Sequence, residues 1–152
     1  MQNKLSYREA KIEDVPQIQK VRNLVKENTL SNPALVTDAD CVAYITKRGK
    51  GWVCENEADI VGFAIADLQD NNIWALFILP NFEKIGIGQR LHKLMLDWYF
   101  LQTTTSVWLA TEIATRAVNF YSKAGWVAVG TYGVNEIKFE MTYDMWQKLQ
   151  NK

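Results

Sequence analysis

The chain is 152 residues long, 48% apolar and 22% charged, enough to bury the core of one domain and too apolar for a predominantly disordered chain. Its 17 basic and 17 acidic residues give a formal net charge of zero, which argues against the basic excess by which nucleic-acid binders neutralise phosphate. The longest nearly unbroken apolar run, Ile73 to Pro80, falls far short of the roughly 20 residues that span a bilayer.

Leu5 to Arg8 predicts a first strand, and Glu13-Asp14-Val15-Pro16 opens a helix with acids and a proline in its first turn. Val15, Ile18, Val21 and Val25 give that helix its apolar stripe. Thr37 with Asp40 predicts a capped second helix running to about Lys47. Gly51 to Cys54 and Asp59 to Ala66 pattern as an antiparallel hairpin, and Ile73 to Leu79 as a third strand that Pro80 stops. The next helix puts Ile87, Leu91, Leu94, Met95 and Trp98 on one face, opposite Arg90, Lys93 and Asp97. His92 falls with its polar set and is expected to be solvated. Ser106 to Thr111 is a further strand, and Thr115 to Ala124 a short helix stopped by Gly125. Trp126 to Thr131 and Glu136 to Thr142 make a last hairpin, followed by a short extension. The order β-α-α-β-β-β-α-β-α-β-β predicts an α+β or mixed α/β domain over residues 1–152, built on one largely antiparallel sheet.

The stretch richest in chemistry is Ile73 to Trp98. A strand ends at Pro80, and Gly86-Ile87-Gly88 opens an amphipathic helix whose first amides have no intrahelical partner. Such amides form an anion site, to which Lys84, Arg90 and Lys93 add charge. Two nucleotide-loop patterns fail: Leu91 stands where a dinucleotide fingerprint needs its third glycine, and Gln89-Arg90 follows Gly88 where a P-loop needs Lys-Ser/Thr.

Trp74-Ala75-Leu76-Phe77-Ile78-Leu79-Pro80 followed by Glu83-Lys84-Ile85-Gly86-Ile87-Gly88-Gln89 resembles the acetyl-CoA motif of the GNAT superfamily of N-acetyltransferases. Ala117-Val118-Asn119-Phe120-Tyr121-Ser122-Lys123-Ala124-Gly125-Trp126 resembles that family's second motif, and Tyr7-Arg8-Glu9-Ala10 with Asp14-Val15-Pro16 its N-terminal opening. The resemblance covers nearly the whole chain. It implies that backbone groups of Leu76, Phe77 and Ile78 pair with the pantetheine arm of acetyl-CoA. It also implies that the amides of Lys84, Ile85, Gly86, Ile87, Gly88 and Gln89 cradle the pyrophosphate. Two positions depart from the family pattern: Glu83 replaces a Gln or Arg, and Ala114 replaces an Asn. A carboxylate at 83 repels a pyrophosphate unless it turns away or pairs with Lys84.

The implied reaction is acetyl transfer to a primary amine by direct attack, with Tyr121 as the acid that protonates the departing thiolate. Glu112 is the candidate general base, with Asp67 and Asp70 behind it. Glu27 and Asn28, within an acceptor side expected from Arg22 to Thr37 and Tyr132 to Asn135, are candidate acceptor-binding residues, and Trp74 is a candidate wall of that pocket. Cys41 and Cys54 have no CxxC spacing and are expected to be reduced structural thiols. With one His no metal site is expected. Met1-Gln2-Asn3-Lys4 lacks a secretory apolar stretch, so the expectations are a cytoplasmic location, no membrane or nucleic-acid partner, and a homodimer. The alternative is a GNAT-fold acyl-CoA sensor or interaction module without turnover, motivated by Glu83 and Ala114.

Overall fold

The computed structural model describes residues 4–25, 36–113 and 115–150. In chain order it contains β1 (Leu5–Glu9), α1 (Val15–Val25), α2 (Asp38–Ala43), β2 (Gly49–Asn56), β3 (Asp59–Asp67), β4 (Asn72–Ile78), α3 (Ile87–Gln102), β5 (Val107–Glu112), α4 (Arg116–Lys123), β6 (Val127–Tyr132), β7 (Glu136–Met141) and α5 (Tyr143–Gln150). One seven-stranded sheet has the order β1-β2-β3-β4-β5-β7-β6, antiparallel everywhere except between β4 and β5. Among the described residues no helix is long and apolar enough to cross a membrane.

The element boundaries follow from local chemistry. Asp14 ends a short 3-10 turn, Ile12–Asp14, that leads into α1. Its carboxylate accepts from both Arg8 guanidinium nitrogens (2.7 and 2.8 Å) and from the Lys11 amide (2.7 Å), tying α1 to β1. Thr37 and Asp40 form the expected reciprocal cap of α2, with bonds of 3.0 and 3.1 Å. The helix then continues as a π turn, Tyr44–Arg48.

Two cores sit on opposite faces of the sheet. Val15, Ile18 and Val21 of α1, Cys41 of α2 and Ile45 pack with Val53, Phe63, Ile65 and Ala75 on one face. Ile87, Leu91, Met95, Leu96, Tyr99 and Phe100 of α3 pack with Trp52, Ala64, Ile73, Leu109 and Phe139 on the other. Strand β3 is buried on both faces, which is why it reads as an apolar run interspersed with glycine and alanine. The C-terminal extension is helical: Thr142 accepts from Met145 N at its hydroxyl and from Trp146 N at its carbonyl, and Trp146 is buried against α3. The signal lay in the sequence as a Thr cap before Met145, Trp146 and Leu149 at helical spacing.

Replacing Asp14 by Asn would leave the Arg8 guanidinium without its bidentate carboxylate. Asp14→Asn is expected to lower unfolding stability by about 2–4 kcal/mol, read from the urea midpoint at neutral pH. An unchanged midpoint would show that this pair does not hold α1 to β1.

Candidate functional site

Strands β4 and β5 are parallel and pair only at their starts, Asn72 with Trp108. The turn before β4 clamps that closed end. Trp108 donates its amide to the Asn71 carbonyl (3.0 Å) and its indole N–H to the Asp70 carbonyl (3.0 Å). The Asn71 side-chain amide donates to the Tyr99 hydroxyl of α3 (2.9 Å). Beyond this clamp the strands diverge toward their carboxyl ends, Ile78 and Glu112. They leave a V-shaped opening in the sheet, the place where a parallel pair offers a ligand site. Leu76, Phe77 and Ile78 pair with Ala64, Phe63 and Gly62 of β3 on one edge. Their other edge faces the opening.

The loop at the end of β4 makes a 3-10 turn, Pro80–Phe82, and enters α3 through two left-handed residues, Lys84 (φ +67°) and Gly86 (φ +94°). A Cβ at Gly86 would touch nothing within 4 Å, so the backbone angle, not crowding, calls for glycine there. Gly88 differs. Its missing Cβ would lie 3.4 Å from Ile78 of β4 and from Phe120 of α4, so it sits where α3 packs between β4 and α4. Arg90 makes the first amide bond of the helix, to the Gly86 carbonyl (3.1 Å). The amides of Ile87, Gly88 and Gln89 therefore have no carbonyl one turn back, and they carry the positive end of the helix dipole.

The side chains around this cradle differ in part from expectation. Glu83 pairs with Arg116 at the start of α4 (Nη1–Oε1, 2.7 Å) rather than with Lys84, so its charge is answered from across the gap. Lys93 is bound to Asp97 (2.9 Å) and Gln150 (2.7 Å), and Arg90 lies over the Tyr7 ring (5.6 Å). Of the three cations the sequence suggested, Lys84 is the one that stands in the loop.

Tyr121 is buried on α4, its ring 5.6 Å from Trp126 and 6.2 Å from Phe139 of β7. Burial pushes its phenol pKa upward, so the hydroxyl keeps its proton. His92 is not solvated as the helical pattern suggested: it is 5% exposed, with the rings of Phe120, Tyr121, Trp126 and Trp146 around it. Its Nε2 accepts the Trp126 indole N–H (2.9 Å), which assigns a neutral imidazole. Burial pulls its pKa down to about 4, outweighing the upward effect of Asp97. The pattern missed this because α4 and α5 pack on a flank of α3 that would otherwise be its outer side.

Glu112 is exposed as the last residue of β5, at the open end of the V and opposite Glu136 in register. Asp67 is buried in an ion pair with Arg48 (2.8 Å), which also holds Asp70 (2.8 Å). Both lie at the closed end and are corrected as base candidates. Trp74 is the extra residue of a bulge, since Ile73 pairs with Ala66 and Ala75 with Ile65. The bulge turns Trp74 onto the α1–α2 face, where it stacks on Tyr44 (centroids 3.9 Å, 10° between planes). Arg22 is half-buried on the last turn of α1, and burial lowers its pKa. Glu27, Asn28 and Ala114 lie outside the described residues.

A model of the acetyltransferase (GNAT) family matches residues 16–126. No curated protein sequence matches the chain. Among solved structures, the fold is similar to the PaiA N-acetyltransferase of Thermoplasma acidophilum in complex with coenzyme A (TM-score 0.79, 16% identity, 91% of this chain and 99% of that one). It is also similar to a GNAT acetyltransferase of Staphylococcus aureus Mu50 (0.80, 16%, 91% and 99%). A third likeness is to the ribosomal-protein-S18-alanine N-acetyltransferase of Escherichia coli (0.69, 14%, 90% and 91%).

His92 makes stability depend on pH with a definite sign. Between its ordinary pKa of 6.5 and about 4, the unfolded chain takes up a proton that the folded chain refuses. Stability contributed by the neutral imidazole is therefore lost as pH falls through that window, by roughly 3 kcal/mol in full. His92→Gln keeps an acceptor for the Trp126 indole and removes the titration. Urea midpoints at pH 7 and pH 4.5 should differ clearly less in the variant than in the wild type, and equal differences would refute the assignment.

Proposed function

The chain belongs to the GNAT acetyltransferase family, and on that premise we propose that it moves the acetyl group of acetyl-CoA to a primary amine by direct nucleophilic attack. The observation that carries this reading is the V between β4 and β5, which ends beside an α3 N-terminus whose first amides are unpaired. These residues suit a long thioester bearing a pyrophosphate. The edge of β4 that faces the opening, at Leu76 and Ile78, offers backbone groups to an extended amide arm, as an added strand would meet them. The amides of Lys84 to Gln89 offer donors to the phosphates, and the open space around Gly86 leaves room beside them. The pairing of Glu83 with Arg116 offsets the charge of one of the two positions, Glu83 and Ala114, that motivated a sensor without turnover.

Acetyl-CoA supplies the activated acyl group, and the protein supplies position and proton handling. The attacking nitrogen forms the new C–N bond, the C–S bond breaks, and the nitrogen loses one proton while the sulfur gains one. Tyr121, kept protonated by burial, is the acid that gives its proton to the leaving sulfur. Glu112, at the open end of the V, takes the amine proton through water. A covalent acyl-cysteine route is disfavoured because Cys41 and Cys54 are both buried and burial raises both thiol pKa values, Cys41 to about 11.

The acceptor enters from the α1–α2 face, where stacked Tyr44 and Trp74 form a wall. A homodimer is supported by β6, exposed at every residue and bearing Val127, Val129 and Tyr132, next to Val134. Buried, unpaired cysteines suit a reducing cytoplasm.

Tyr121→Phe keeps the ring and removes the proton. It should lower kcat at least 100-fold with a panel of amines while acetyl-CoA affinity by calorimetry stays within twofold. Gly88→Leu, checked for native circular dichroism, should abolish acetyl-CoA binding by filling the gap between Ile78 and Phe120. Full activity of Tyr121→Phe would remove the phenol from the mechanism. Light scattering at tens of micromolar should give twice the chain mass, and a monomer mass would overturn the dimer.

A further inference from the structure

Helix α4 is 8 residues long, too short to be stable by itself, and Tyr121 sits in its last turn. That turn is closed by the chain that follows it. Ala124 donates its amide to the Phe120 carbonyl (3.0 Å), Gly125 (φ +100°) to that of Ser122 (3.2 Å), and Trp126 to that of Tyr121 itself (3.0 Å). The same Trp126 donates its indole N–H to His92 Nε2 of α3 (2.9 Å), a buried bond. Among the described residues this is the one hydrogen bond that joins α3 to α4 or to the turn after it. Close packing does not replace it on this side. A cavity of about 230 Å³ lies between α3, α4 and α5, with His92, Phe120, Ala124 and Trp146 among its lining residues.

We propose that His92 is a positioning residue for Tyr121: by holding the Trp126 indole, it fixes the last turn of α4 against α3. The proposal rests on the reading of Tyr121 as the acid. His92 stands one helical turn beyond the unpaired amides of Ile87 to Gln89, so the helix that begins with those donors also sets where the phenol stands. A general acid works only within hydrogen-bond reach of the atom it protonates, and a shift of about 1 Å can cost about 100-fold in rate. The influence of His92 runs through Trp126, because its own ring is 6.4 Å from that of Tyr121 and no hydrogen bond joins the two. A neutral imidazole suits the place. It accepts from the indole while the rings of Phe120 and Trp146, each at 5.7 Å, surround it, and it buries no charge in doing so.

Steady-state kinetics with acetyl-CoA and a panel of primary amines tests this role by comparing two backgrounds. His92→Leu removes the acceptor and should lower kcat at least tenfold while KM for acetyl-CoA stays within threefold. His92→Gln returns an acceptor to the indole and should recover most of that loss. Trp126→Phe breaks the same bond from the other side and should match His92→Leu, which keeps the test alive if one variant fails to fold. In a Tyr121→Phe background, His92→Leu should change kcat less than twofold, because the group it positions is gone. Equal losses with and without the Tyr121 phenol would overturn the proposal, as would wild-type kcat in a folded His92→Leu. A loss confined to KM, or no recovery in His92→Gln, would overturn it too. Full activity of Tyr121→Phe would instead overturn the acid and its positioning together. No turnover of any amine by the wild type would overturn acetyl transfer itself, and this role with it.

Discussion

The structure turns on a sheet that stops pairing in its middle. Strands β4 and β5 are joined at Asn72 and Trp108 and then part. A parting of this kind costs backbone hydrogen bonds, so it persists only where something else holds the geometry. The hold comes from the closed end. Asn71, in a left-handed conformation that asparagine tolerates, bonds Trp108 through its carbonyl and Tyr99 through its side chain. Arg48 secures the same turn through Asp67 and Asp70. With one end clamped and each arm of the V backed by its own antiparallel neighbours, the inner edges of β4 and β5 face each other across the opening.

A bulge at Trp74 adds to this geometry. It puts Trp74 and Ala75 on the same face, so the tryptophan stacks on Tyr44 rather than joining the α3 core. The two faces of the V consequently differ. The α3–α4 face has the unpaired helix amides and a cavity, and the α1–α2 face has the stacked Tyr44 and Trp74.

His92 fastens the donor side. One neutral imidazole is set among four aromatic rings from α4, α5 and the residue leading into β6, and it accepts the Trp126 indole proton. It therefore joins α3, whose first amides are unpaired, to α4, the helix that carries Tyr121. Charging it would place an uncompensated cation in that cluster, which burial resists.

Local chemistry could be read in the chain alone: the Thr37–Asp40 cap, the apolar stripe of α1, the end of β4 at Pro80 and the glycine entry to α3. Each depends on residues within a few positions of one another, where sequence spacing is physical spacing. The two GNAT motifs were legible for the same reason, being continuous stretches on a strand–loop–helix and a helix–turn. Partnership was decided by the tertiary structure. Glu83 is answered by Arg116, 33 residues away, rather than by adjacent Lys84. His92 is buried because α4 and α5 cover a helix flank that periodicity assigns to solvent. Trp74 faces α1 and α2 because of a bulge that a one-residue mismatch with β3 creates. A chain's periodicity tells which side of an element is apolar, but burial and charge pairing depend on which distant segments pack against it.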